Sequence, residues 1–151
     1  MPGGAALAAR HEGSSRRVFV LVSDAECNEG SLWEAVMFAA HHRLHNLVAI
    51  VDMNGQQAFG YTDAVLSLTP LAERWRAFGW ETHEVDGHDT ASLASAVESL
   101  EHRGGDAPHV LIARTRFGKG VSFMEGQIKW HYWPMSAEEY ETAMAEVEAA
   151  P

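Results

Sequence analysis

Three short strand-like runs, apolar but for the leading histidine of the last, punctuate this chain: Val18-Phe19-Val20-Leu21-Val22, Leu47-Val48-Ala49-Ile50-Val51 and His109-Val110-Leu111-Ile112-Ala113. Runs of this length, rich in β-branched residues, have the pattern of parallel strands buried on both faces. Helix-like segments separate them. Ala5 to Arg10 predicts a short helix that stops near Gly13. Ser31 with Glu34 has the spacing of a capping box and predicts a helix reaching about His45. Thr69-Pro70 predicts another, with proline at its first position and an end near Gly79. Trp80 to Val85 predicts a further strand, Asp86-Gly87-His88-Asp89 a turn, and Thr90 to about His102 a helix. A loop from Gly104 to Pro108, an irregular stretch from Arg114 to Pro134 and a last amphipathic helix capped by Ser136 and Glu139 complete the reading. Strands and helices in this alternation, joined by right-handed crossovers, predict an α/β fold: an open, mostly parallel sheet with helices on both faces. No repeat, low-complexity tract or linker interrupts it, so residues 1–151 read as a single domain.

Composition narrows the function classes. The formal net charge of -10 opposes binding nucleic acid by phosphate neutralisation. An acidic chain can still hold a diphosphate if a metal supplies the positive charge. No apolar run approaches the roughly 20 residues of a membrane-spanning helix, and the start, Met1-Pro2-Gly3-Gly4, is unlike a secretory signal. Cys27 is the one cysteine, which excludes an internal disulfide and suits a cytoplasmic location.

Ligands of open parallel sheets bind beyond the carboxyl ends of the strands. Two polar segments project there: Ser23-Asp24-Ala25-Glu26-Cys27-Asn28-Glu29-Gly30-Ser31 after the first run, and Val51-Asp52-Met53-Asn54-Gly55-Gln56 at the end of the second. The Asp24 carboxylate, the Asn54 carboxamide and a backbone carbonyl such as that of Gln56 are hard oxygen donors suited to Mg²⁺ carrying a diphosphate. On the residues alone, Asp24 capping a helix and Asn54 making a turn with Gly55 is the commoner use of such side chains. His41 and His45, four apart, read as a metal pair or as a solvated helix end that suits the helix dipole. Gly118-Lys119-Gly120 reads as a phosphate cradle or a flexible loop. No base is placed beside Cys27 to make it a nucleophile. The five tryptophans read as core and interface residues.

Beyond spacing, the text of the chain resembles the transketolase family of thiamine-diphosphate enzymes. The resemblance runs from Asp24 to Ala35, through Asn46 to Gly55, Pro70 to Trp80 and Val85 to Asp89, and on to Ala113-Arg114-Thr115, Gly118 to Glu125 and Trp130-His131. It covers nearly the whole chain in order, and it is most similar to the N-terminal subunit of split bacterial enzymes. It implies thiamine diphosphate and Mg²⁺ as cofactors, with Asp24, Asn54 and the Gln56 carbonyl as metal ligands. It implies that the backbone at Ala25 and Glu26 approaches the diphosphate and that Ala58 lies near the thiazolium. His131 resembles a histidine that reaches the diphosphate and the substrate hydroxyls. Glu29 and Glu34 resemble acidic residues that join two active sites across a dimer. The implied reaction is transfer of a two-carbon ketol unit between sugar phosphates or related substrates. The helix after Gly30 is apolar nearly all round, which also favours a partner surface.

The chain departs from the family pattern in three places. Ser23 and Ala25 stand where the family has glycines flanking the aspartate, and Tyr132 follows His131 where glycine is common. The family's front half-domain, and its pyrimidine-binding region, have no counterpart here. The chain thus resembles the C-terminal portion of a pyrophosphate-binding domain, active only in a homo- or hetero-oligomer with further transketolase chains. The alternative expectation is a non-catalytic interaction subunit that keeps the fold and binds cofactor weakly.

Overall fold

The computed structural model describes residues 2–101 and 105–149. Four parallel strands form the main sheet: β1 (Val18–Ser23), β2 (Leu47–Met53), β5 (Glu81–Asp86) and β6 (His109–Arg114), in the order β1-β2-β6-β5. The order places the two most apolar runs, β2 and β6, in the middle. Six helices complete the described fold: α1 (Pro2–His11), α2 (Gly30–His41), α3 (Thr62–Leu66), α4 (Leu71–Ala77), α5 (Thr90–Glu101) and α6 (Ala137–Ala149). The register aligns Val20, Ala49 and Val110 on one face and Leu21, Ile50 and Leu111 on the other. On the first face, Ala6 of α1, Val36 and Ala39 of α2, and Leu71 and Trp75 of α4 share one core with Leu47, Ala49, Val51 and Ile112. On the second, Leu100, Ala96 and Val97 of α5 pack on Val48, Ile50 and Leu111. The expected sheet with helices on both faces is thus observed.

Several boundaries differ from the sequence expectation. The first run is not buried on both faces. β1 is an edge strand, and Phe19 and Leu21 remain 48% and 70% exposed because α5 packs over β5, β6 and β2 on that face and leaves β1 uncovered. The Ser31–Glu34 capping box does not form. A 3₁₀ turn at Ala25–Asn28 feeds straight into α2, Glu29 becomes the N-cap, and Ser31 falls inside the first turn. α2 ends at His41 rather than near His45: Arg43 turns the chain at φ 51° and drops Leu44 into the core. Pro70 lies one residue ahead of α4, not in its first position. β5 begins at Glu81, because Trp80 is buried edge-on against Trp75, with 4.8 Å between ring centroids. α1 starts earlier than expected, at Pro2. The Ser136–Glu139 box does form. Ser136 N–H donates to Glu139 Oε2 at 2.8 Å and Glu139 N–H to Ser136 Oγ at 3.2 Å. The expected end of α5 at His102 and the start of the loop at Gly104 lie outside the described residues.

Two features beyond β2 had no counterpart in the sequence reading. A small antiparallel hairpin, β3 (Gln56–Gln57) and β4 (Gly60–Tyr61), follows the Asn54-Gly55 turn and leads into α3. The stretch after β6 folds back over it through a 3₁₀ turn at Ile128–His131 that packs against β3. Tyr61 Oη donates to the Gly126 carbonyl at 3.1 Å, and Tyr132 Oη donates to that of Ala58.

Candidate functional site

The ends of β1 and β2 are adjacent because the two strands pair in register, Ser23 opposite Asp52. Asp24 N–H continues the ladder to the Asp52 carbonyl at 3.1 Å. This points the Asp24 side chain under the turn that leaves β2. Its Oδ2 accepts Gly55 N–H at 2.9 Å and the Thr62 hydroxyl at 3.1 Å. Gly55 presents its N–H from a left-handed backbone, φ 77°, where glycine carries no steric cost. The two polar segments of the sequence are therefore joined by a direct bond.

Asp24 is 1% exposed, and its Oδ1 has no hydrogen-bond partner among the described residues. Burial raises its carboxyl above the usual range; the bonds from Gly55, Thr62 and the Ala25 backbone oppose that rise, and the nearby Asp52 adds to it. A buried carboxylate oxygen without a partner is costly unless a cation meets it. Gln56 Oε1 and both amide atoms of Asn28 are also buried without partners among the described residues. Asp24 Oδ1, Gln56 Oε1 and Asn28 Oδ1 are hard oxygen donors of the kind a divalent cation such as Mg²⁺ takes.

Asn54 is held rather than idle. Its Nδ2 donates to Asp52 Oδ2 at 3.0 Å and its Oδ1 accepts Gln56 N–H at 2.9 Å. The second Asp52 oxygen accepts the hydroxyl of Thr115. Asp52, Thr62 and Thr115 thus form a support that sequence reasoning did not single out, and the buried amide of Asn28 has no partner among the described residues. Only Asp52 and Asn28 carried a signal, as polar residues inside the two segments; Thr62 and Thr115 come from distant elements.

The departures at Ser23 and Ala25 have a clear local structure. Among the described non-glycine residues only Arg43 has positive φ, so neither side chain strains the backbone. Ser23 instead builds a capping box. Glu26 Oε2 accepts Ser23 N–H at 2.8 Å, and Ser23 Oγ accepts Glu26 N–H at 3.2 Å. The Glu26 amide expected to face a diphosphate is therefore already bonded, with a carboxylate folded beside it. Cys27 is buried, its thiol pushed up to about 12 by burial and by Asp24 and Glu26. It is no nucleophile at neutral pH.

The remaining expected site residues lie outside this cluster. Ala58 is exposed at the tip of the hairpin. His131 is exposed in the 3₁₀ turn, its ring stacked at 16° on Phe117 with 6.4 Å between centroids. The turn beside β3 brings it to the same end of the sheet as Asp24. Glu29, the N-cap of α2, and Glu34 within that helix are exposed, Glu34 on the same face as Met37 and Phe38, which are 49% and 40% exposed. His41 ends α2 and His45 lies beyond it, so they do not share a helix face. Gly118 is required for close approach: at φ 71°, a Cβ there would meet the Met124 backbone at 2.7 Å. This favours the loop reading of Gly118-Lys119-Gly120 over a phosphate cradle. No helix among the described residues is long and apolar enough to cross a membrane.

The chain is similar to known proteins over nearly its whole length. Among curated relatives, an apulose-4-phosphate transketolase subunit from Actinobacillus succinogenes is 43% identical over 144 residues, covering 95% of this chain and 51% of that protein. The 6-deoxy-6-sulfo-D-fructose transketolase subunit of a Clostridium species is 39% identical over 145 residues, 96% of this chain and 52% of that one. The chain spans about half the length of these relatives. Among solved structures, transketolase from Campylobacter jejuni superposes with a TM-score of 0.89 at 26% identity, over 97% of this chain and 24% of that one. Residues 6–149 match the family described as the thiamine diphosphate binding domain of transketolase, and the chain belongs to that family.

Proposed function

We propose that this chain is a component of a transketolase-like transferase that holds the Mg²⁺–diphosphate end of thiamine diphosphate. The observation that carries the reading is Asp24, anchored through Oδ2 to Gly55 and Thr62 while the buried Oδ1 lacks a partner. In this reading Asp24, Asn54 and the Gln56 carbonyl hold the metal, and Asp52 and Thr115 fix the turn that presents them. Thiamine diphosphate, when bound, supplies the electron sink for breaking and making the carbon–carbon bond of a two-carbon ketol transfer. The chain's own residues position it. Ala25 and Glu26 border the diphosphate, Ala58 lies toward the thiazolium, and His131 reaches the diphosphate and the substrate hydroxyls. Glu29 at the start of α2, and Glu34 on the same face as the exposed Met37 and Phe38, meet a partner subunit.

The chain aligns with about half the length of these relatives, and further transketolase subunits complete the assembly. Substrates are sugar phosphates or related ketoses, the class to which the names of the relatives point. The test is a thiamine diphosphate titration in Mg²⁺ on the chain co-purified with the products of its neighbouring reading frames. Binding that is lost in Asp24→Ala is the expected result; no binding, or binding unchanged by that substitution, overturns the proposal.

One observation favours a second reading, an interaction subunit that binds cofactor weakly: the Ser23 hydroxyl occupies the Glu26 amide. Ser23→Gly with Ala25→Gly frees that amide. A gain in cofactor affinity together with undetectable transferase activity of the unmodified assembly favours this second reading.

A further inference from the structure

The opposite end of the sheet carries a second group of ligating side chains. Glu81 and His83, two apart on β5, point to the same face, and His109 on β6 is the register partner of Glu81. All three lie on the α5 face, at the amino ends of the strands, away from Asp24. One ligand atom from each can be chosen so that all lie within 4.8 Å of one another. His109 Nδ1 is 3.5 Å from Glu81 Oε2, with side chains 3% and 35% exposed, and the rings of His83 and His109 are 6.3 Å apart.

We propose that Glu81, His83 and His109 form a binding site for a divalent transition metal of the zinc class. Two imidazoles and one carboxylate are the borderline donor set that such ions prefer over Mg²⁺. Bonds of about 2.0–2.2 Å in tetrahedral geometry put ligand atoms about 3.3–3.5 Å apart. The Glu81–His109 pair already has that spacing, and modest side-chain rotation closes the rest. Gly105 leaves the room: a Cβ there would lie 2.9 Å from Glu81 Oε1. Of the three, His109 lines an open depression that Gly105, Asn46, Leu100 and the guanidinium-bearing Arg10 and Arg17 also wall. Three protein ligands leave a fourth position for water. The ion would clip the edge strand β5 to its neighbour β6, a structural contribution separate from the diphosphate site.

The test uses the full chain without an affinity tag, titrated with Zn²⁺ against a chromophoric chelator, with thermal unfolding in parallel. The expected result is one equivalent bound at micromolar affinity or tighter. Thermal midpoint should rise by about 5–10 °C at a hundredfold excess over Kd. His83→Ala and Glu81→Gln should each weaken binding at least tenfold and remove the thermal shift, while His41→Ala/His45→Ala leaves both unchanged. Glu81→Gln keeps shape, so it decides the matter if His83→Ala fails to fold. Absence of stoichiometric binding, binding indifferent to both substitutions, or binding lost in Asp24→Asn or in His41→Ala/His45→Ala overturns the proposal. A plain Glu81–imidazolium ion pair gives the first of these outcomes.

Discussion

Asp24→Asn should make the metal-free protein more stable. The wild-type carboxylate is 1% exposed, and Gly55 and Thr62 satisfy only one of its oxygens. A buried charge stripped of its partner costs about 3–5 kcal/mol. An asparagine there keeps both bonds through its carbonyl and leaves a neutral amide unsatisfied, at about 1–3 kcal/mol. The difference is a gain of about 2 kcal/mol at neutral pH, or about 4–8 °C in Tm for a chain of this size. The pH dependence follows from the raised carboxyl. Between the ordinary 3.8 and its folded value, native Asp24 binds more protons than the unfolded chain. Wild-type stability from this group therefore rises as pH falls through the folded value, and the penalty is gone below the unfolded one. Calorimetry of both proteins without metal should show the largest gap at pH 7 and convergence toward about pH 4. Asp89, Glu139 and Glu146, whose carboxyls are held low by local hydrogen bonds, shift both proteins alike and cancel in the difference. A mutant less stable than wild type at pH 7, or a gap that does not narrow in acid, refutes the reasoning that Asp24 waits for a cation.

The Cys27 thiol, pushed from 9.0 to about 12, should react with iodoacetamide at pH 8 about a thousandfold more slowly than after unfolding; comparable rates, followed by mass spectrometry, would exclude the buried placement. Gly87→Ala forces a Cβ to 2.4 Å from Thr115 Cγ2 and 3.1 Å from Ala113 Cβ. It should cost about 1–3 kcal/mol in urea unfolding and weaken whatever binds at Asp52 and Asn54, since Thr115 bonds Asp52. Trp75 and Trp80 pack together, but Trp80 Nε1 donates to the Val36 carbonyl at 3.0 Å whereas Trp75 Nε1 has no partner among the described residues. Trp80→Phe should therefore cost about 1 kcal/mol more than Trp75→Phe in the same assay.

The sheet was legible because its strands are runs whose apolar character does not depend on neighbours, and the helices between them carry their own punctuation. What failed was everything set by which element covers which. Phe19 and Leu21 read as buried because a β-branched run looks the same at an edge as in the middle; only the order β1-β2-β6-β5 and the position of α5 decide otherwise. Trp80 reads as a strand residue, yet its place is taken by packing on Trp75. The Glu81–His83–His109 group was invisible for the same reason, since His109 becomes a neighbour of Glu81 only once β5 and β6 are in register.

At the Asp24 end of the sheet the sequence named the partners but not their bonds. The spacing of Asp24 and Asn54 suggested two ligands facing one ion; in the fold, Asp24 is tied to Gly55 and Asn54 to Asp52, so the turn is built before any ion arrives. Ser23 is the sharper case. It stands where the family has glycine, and because its φ is negative the loss of glycine's backbone freedom costs nothing here. The consequence lies in hydrogen bonding instead. Ser-x-x-Glu is the ordinary signature of a helix start, and Ser23-Asp24-Ala25-Glu26 fits it as well as Ser31-Leu32-Trp33-Glu34 does. Sequence alone offered no reason to prefer one over the other. The fold chooses the first, because the ladder from β1 to β2 ends at Asp24 and the turn must begin there. A phosphate approaching this turn must therefore compete with a hydroxyl for the Glu26 amide and pass a carboxylate, a burden that a glycine in place of Ser23 would not impose.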